Sequence, residues 1–294
     1  MGILLGLATA LAWGSADLCA RFATHKIGTF RTMLYMQLTG FVLLTLVMHW
    51  FGGWGHLVDG SGWRPWAWGI LAGILNTSST LALYRSFEIG KMSIVAPLSA
   101  SYPVLTMLLS VLTGERLTIA RFVGIALTIT GVIVVAHGEV TPDDANPLDE
   151  NTRPGKKFLG VGWALSAAGG FGVMFWILGI RVVPLLGGAP SVWVIRLTGV
   201  LLTALVVLGL RRPVGLPSLK DNRWILAIGI LDTGAYLLNN FGLQHEQVSV
   251  VSVLASLYGA VTVALAAIVL REPVSRMQWL GIISIFVGIV LISR

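Results

Sequence analysis

Runs of about twenty consecutive apolar residues recur from one end of this chain to the other, and nothing else in the sequence restricts the fold as strongly. The hydrocarbon core of a bilayer is about 30 Å thick, and a helix crosses it in roughly 20 apolar residues. Segments such as VIVVA, TALVVL and ALAAIVL are apolar on every face, whereas the strands of a membrane barrel would alternate polar and apolar. The expectation is an all-α integral membrane protein of ten transmembrane helices, at about 3–23, 30–50, 66–87, 92–113, 118–137, 158–180, 189–210, 224–243, 249–270 and 277–292. With 55% of the 294 residues hydrophobic, 11% charged and a mean hydropathy of +0.84, a soluble domain is excluded. The first span is read as a retained helix and not a signal peptide, because it lacks a basic start and carries Trp13, Asp17 and Arg21. Cys19 is the single cysteine, so an intrachain disulfide and a cysteine metal cluster are both ruled out.

The chain also repeats itself. GERLTIARFVGIALTITGVIVV begins at Gly114, and REPVSRMQWLGIISIFVGIVLI begins at Arg271. Glu115 matches Glu272, Gly124 matches Gly281 and Gly131 matches Gly288, while Leu38-Thr39-Gly40 returns as Leu197-Thr198-Gly199. One long hydrophilic connection, HGEVTPDDANPLDENTRPGKK, separates the two copies. The predicted organisation is an N-terminal five-helix repeat over 1–137, a hydrophilic linker over 138–157 and a C-terminal five-helix repeat over 158–294. Five is odd, so the second copy crosses the membrane in the opposite sense. Two inverted repeats around a central cavity form the architecture of alternating-access transporters.

A net charge of +7 points to nucleic acid in a soluble protein, but here Lys and Arg sit mostly at helix ends. Nucleic acid is excluded as a partner; membrane lipid and a small-molecule substrate are expected. The odd connections hold fourteen of the twenty basic residues and the even connections and termini hold five, with Arg196 inside a helix. That places the odd loops in the cytoplasm of a multi-pass cell-membrane protein, a prokaryotic inner membrane by expectation, with both termini outside.

The passages LALYRSFEIGKMSIVAPLSASYPVLTMLLSVLTGERLT and HEQVSVVSVLASLYGAVTVALAAIVLREPVS, with Trp13-Gly14 in the first helix, resemble the drug/metabolite transporter superfamily in its ten-helix, EamA-type form. The resemblance covers essentially the whole chain and is similar to that of the YddG-type amino acid exporters. It implies a metabolite carrier with no cofactor and no enzymatic activity, and it carries over no universal catalytic residue. The central glutamate of the small multidrug relatives has no counterpart in the first helix, Asp17 excepted.

Polar groups inside a bilayer mark a site or a structural pair. Thr9, Trp13, Asp17 and Arg21 share one helical face; Asn76, Thr80, Tyr84 and Phe87 share another; Ser99, Tyr102 and Thr106 line the fourth helix, and Asp232, Tyr236, Asn239 and Asn240 the eighth. The candidate substrate-binding residues are Trp13, Asp17, Asn76, Tyr84, Ser99, Tyr102, Trp176, Arg196, Asp232, Tyr236, Asn239 and Tyr258. Several have plainer readings. Asp17 and Arg21 form a local ion pair or a coupling site, Arg196 and Asp232 neutralise each other or meet substrate, and Trp13 and Trp176 pack or stack on substrate. Pro103 breaks the hydrogen-bond ladder of the fourth helix, whose freed carbonyl needs a partner near Ser99. Ser275 and Gln278 form a capping-box pattern.

No HExxH, CxxC, GxSxG or GxxxxGK[ST] motif appears, which argues against hydrolytic and ATP-driven chemistry and expects neither metal nor cofactor. The reading is a secondary transporter, an exporter of amino acids or similar amphiphilic zwitterions, with protons as the candidate coupling ion and a monomer or homodimer as the assembly. The alternatives are a multidrug or other metabolite exporter, a lipid-precursor flippase and, last, a non-transporting scaffold.

Overall fold

The computed structural model of the chain describes residues 2–51, 54–55, 62–114, 118–137, 160–211, 215, 219–245, 251, 254–272 and 274–292. The linker over 138–157 and Glu115 of the repeat lie outside them. Among the described residues all regular structure is helical. In chain order it comprises α1 (Gly2–Ile27), α2 (Thr29–Val47), α3 (Arg64–Ile89), α4 (Met92–Ser99), α5 (Pro103–Leu112), α6 (Ile119–His137), α7 (Val161–Ile177), α8 (Val183–Leu186), α9 (Gly188–Gly209), α10 (Leu219–His245), α11 (Tyr258–Leu265) and α12 (Arg276–Ile292).

Four helical stretches are long and apolar enough to cross a membrane on length and composition alone: Thr29–Trp50, Met92–Leu112, Val161–Leu186 and Gly188–Gly209. Shorter apolar helices cover Ile119–Val135, Leu254–Leu270 and Arg276–Ile292. α1, α3 and α10 are just as long, at 26, 26 and 27 residues, but their hydropathy is lowered by polar side chains turned inward. Thr9, Asp17, Asn76, Thr80, Asn239 and Asn240 are all buried, while Leu4, Leu11, Ile70 and Ile230 of the same helices are exposed. This is the inside-out pattern of a chain surrounded by lipid, and it makes the protein a multi-pass membrane protein.

The fourth predicted helix is two helices. Pro103 opens α5, and at the break the Ser99 and Ser101 hydroxyls donate to the carbonyls of Ala96 and Leu98, at 2.9 and 2.7 Å, beside the Ala100 and Ser101 amides that those carbonyls also accept. The sixth predicted helix continues through a π-helical turn, Leu178–Val182, to Leu186. Ser275 and Gln278 exchange backbone-to-side-chain hydrogen bonds, the expected capping box at the start of α12.

Helix packing is close where glycine allows it. α6 and α12 run antiparallel with backbones nearly touching, since a Cβ on Gly124 would sit 2.6 Å from the Gly288 carbonyl oxygen and one on Gly131 2.6 Å from that of Gly281. Ser284 donates to the Leu127 carbonyl at their crossing. α1 lies antiparallel on α10, with Thr9 at Ala235 and Phe22 stacked on Trp224, and α2 lies antiparallel on α9. The described residues at the odd connections collect at one end of the bundle. There Thr29 donates to Glu88, Tyr35 donates to the Gly215 carbonyl, Arg21 meets Glu272, and Gly160 abuts the Ser86 carbonyl.

Candidate functional site

The polar stripes and the helix break meet in one central cavity. α1 contributes Trp13, Ala16 and Asp17; α3 contributes Thr80, Leu83 and Tyr84; Tyr102 comes from the junction of α4 and α5. α7 adds Phe171 and Phe175, α10 adds Asp232 and Tyr236, and α11 adds Tyr258. Seven of these twelve residues are aromatic, two are carboxylates and none is basic. Its volume is about 40 Å³, room for a few waters.

The rings interlock. Trp13 packs edge-on against Phe175, Tyr236 and Tyr258, with centroids 5.9, 5.1 and 6.0 Å away, and Phe175 stacks on Tyr102 at 4.7 Å. Such pairs stabilise by about 0.5–1.5 kcal/mol beyond their buried area. Two phenol groups are anchored behind the wall: Tyr236 donates to Asn76 Oδ1, and the Tyr258 hydroxyl pairs with Ser99 Oγ at 3.1 Å. Asn76 and Ser99 thus hold the wall and do not line the cavity.

Arg196 and Asp232 are partners. Arg196, fully buried in α9, donates through Nη2 to Asp232 Oδ2 at 2.5 Å and through Nη1 to Gln37 Oε1 at 2.8 Å. Its guanidinium carbon lies 5.2 Å from the centroid of the Tyr236 ring. A cation inside a bilayer helix needs such compensation, because an unpaired buried charge is far costlier than a paired one. Arg196 therefore stands behind the cavity wall, while the side chain of its partner Asp232 keeps 16% exposure towards the cavity.

Asp17 differs. Among the described residues its carboxylate accepts one side-chain hydrogen bond, from Thr262 Oγ1 at 3.0 Å, and no ion pair reaches it. Arg21, one turn further on, turns to the Phe87 and Gly90 carbonyls and to Glu272 at 3.8 Å. Glu272 in turn accepts the Met92 and Ser93 amides that open α4. This cluster ties α1, α3, α4 and the segment after α11 together at the end of the bundle that holds the odd connections.

Two candidates lie elsewhere. Asn239 donates to Asn240, which donates to the Gly188 carbonyl, a helix-to-helix link between α10 and α9. Trp176 faces away from the cavity and donates to Thr113 at 3.5 Å. Stripe reading misses Ala16, Leu83, Phe171 and Phe175 as lining residues. The internal repeat holds the signal for the last two, because Gly14 aligns with Gly172 at an offset of 158 and the same offset carries Trp13 to Phe171 and Asp17 to Phe175. A second groove, of about 750 Å³, opens on the opposite face of α3 beside Ser78, Leu81, Ala82 and Arg85, with Arg31 and Trp163 on its rim.

Comparison with known proteins then assigns a family. The family model described as the EamA-like transporter family matches residues 1–136 and 158–294. The uncharacterized protein MJ1333.1 of Methanocaldococcus jannaschii is 28% identical over 135 residues, covering 46% of this chain and 95% of that protein. A solved structure described only as a crystal structure of a protein superposes with a TM-score of 0.69 at 18% identity, covering 99% of this chain and 95% of that one. That likeness speaks for the fold alone.

Proposed function

We propose, for a chain that belongs to the EamA-like transporter family and is therefore a membrane transporter of small molecules, that it is a secondary transporter exporting amino acids or similar small amphiphiles by alternating access around the aromatic cavity. The observation that carries this reading is the cavity itself, to which six helical stretches contribute, three from each side of the linker. At about 40 Å³ it is contracted, so the rings must part to admit a metabolite. Membership also fits the absence of enzymatic motifs.

Ten crossings in two inverted five-helix repeats are the architecture we assign, with boundaries at 1–137 and 158–294. Reciprocal contacts support it. At an offset of 157, Gly124 and Gly131 correspond to Gly281 and Gly288; Gly124 touches Gly288 and Gly131 touches Gly281, while Leu127 bonds its own counterpart, Ser284. At an offset of 159, the one that relates Leu38-Thr39-Gly40 to Leu197-Thr198-Gly199, Gln37 bonds its counterpart Arg196. Contacts that map onto themselves when the halves are exchanged are what a two-fold axis produces, and antiparallel membrane-spanning partners place that axis in the membrane plane. The relative that aligns over 135 residues has about the length of one such half.

The Lys and Arg bias supports an orientation with the odd-connection end in the cytoplasm and both termini outside, in what we take to be a prokaryotic inner membrane. Protons are the candidate coupling ion, with Asp17 and Asp232 as the carboxylates facing the cavity. The flippase alternative draws on the lateral groove with Arg31 and Arg85. That groove lies across α3 from the cavity, which weighs against a shared path.

Purified protein in sealed vesicles, assayed for counterflow of labelled amino acids, amines and other metabolites, tests the reading. At least one compound should move, and Trp13→Ala should lower its flux about tenfold or more while insertion is retained. A compound transported equally well by Trp13→Ala would remove the cavity from the path, and failure of every compound would remove the transporter assignment.

A further inference from the structure

Charge accounting within the cavity separates two kinds of substrate that the transport reading leaves together. A zwitterion needs a cation for its carboxylate and an anion for its amine. Among the described residues the cavity lining supplies no cation. The guanidinium of Arg196 is fully buried, is bound to Asp232 and Gln37, and lies behind the Tyr236 ring; no basic side chain lines the cavity. Arg21 is turned away from Asp17 towards two backbone carbonyls and Glu272.

The anionic side is the reverse. Asp232 has its countercharge, whereas among the described residues Asp17 accepts one side-chain hydrogen bond, from the Thr262 hydroxyl. A carboxylate withheld from water requires a proton or a cation beside it, and among the described residues no side chain supplies the cation. Around it stand the rings of Trp13, Tyr84 and Tyr258, whose electron-rich faces attract ammonium groups. A substrate carboxylate entering the same space would face two carboxylates and no donor of positive charge.

We propose that the cavity selects singly positive organic amines carrying an apolar body, with Asp17 as the specificity-determining anion, and that it disfavours the matching zwitterions and acids. This rests on the transport reading of the cavity and, of the amphiphiles that reading admits, takes the amines in place of the amino acids. Removing the carboxylate from an amino acid should therefore strengthen binding, contrary to a site built for amino acids.

The test is calorimetric titration of the purified full chain with two matched sets: phenethylamine, phenylalanine and 3-phenylpropionate, then isoamylamine, leucine and 4-methylpentanoate. The expected order in at least one set is amine over amino acid over acid, the first step about tenfold or more. Asp17→Asn should erase that preference, and Thr262→Val, which keeps the charge, should retain it. Equal or tighter binding of the zwitterion or acid, or binding of none of the six, overturns the proposal, and the wild-type order decides it even where a variant does not fold. A persistent amine preference in folded Asp17→Asn would also overturn the role of Asp17. Transport of some other labelled metabolite in vesicles would leave the transporter reading standing when the amine reading has failed, so the two fail separately.

Discussion

At the scale of single residues, the Arg196–Asp232 pair illustrates what membrane burial demands. Arg196 is completely enclosed, so Asp232→Asn leaves it without its counterion and is expected to destabilise the protein by about 3–5 kcal/mol, as does breaking other buried pairs. Arg196→Gln combined with Asp232→Asn should recover most of the loss, because two neutral amides can pair; thermal melting of wild type, both single variants and the double variant measures this. Additive losses would mean that the two side chains act separately. Most of the cavity-lining residues were legible because a polar side chain stands out in an apolar span. Trp13, Asp17, Thr80, Tyr84, Tyr102, Asp232 and Tyr236 of the sequence stripes, and Tyr258 of the other candidate residues, line one cavity. Phe171 and Phe175 were not legible in this way, since an apolar ring inside an apolar helix offers no contrast. The direction of Arg196 was also hidden, because periodicity does not reveal that Gln37 and Asp232 occupy both ends of its guanidinium.

At the scale of elements, α6 and α12 depend on glycine for their contact. A side chain at Gly131 would press on the Gly281 carbonyl at 2.6 Å, a backbone atom that cannot swing aside. Gly131→Leu is expected to push the helices apart and cost about 1–3 kcal/mol or more, whereas Ile133→Leu on the exposed face should change the melting temperature little. Equal melting of the two variants would remove the close approach as a source of stability. Helix positions could be read from apolar run length, but the break between Ser99 and Pro103 appears in sequence only as a proline. Which carbonyls the Ser99 and Ser101 hydroxyls reach depends on side-chain rotamers that the sequence leaves open. The hold of the Glu272 carboxylate on the α4 amides could not be read from the sequence, because its partners lie about 180 positions away.

At the scale of the whole molecule, the internal repeat and the distribution of Lys and Arg were visible in the sequence because both are long-range regularities of composition, independent of packing detail. They lead to an orientation in which the two termini lie outside. A periplasmically active phosphatase fused after Arg294 should be active and a fluorescent protein at the same place dark; the opposite result would invert the topology. The central claim is that one cavity, built from both halves, opens alternately to the two sides of the membrane. Its most direct measurement places one cysteine on the cavity wall, Thr80→Cys with Cys19→Ser, and adds a membrane-impermeant maleimide to oriented vesicles from each side in turn. Labelling from the inside and, separately, from the outside, each slowed by a transported compound, is the result expected. Labelling confined to one side under every condition, or absent from both, would contradict alternating access through this cavity.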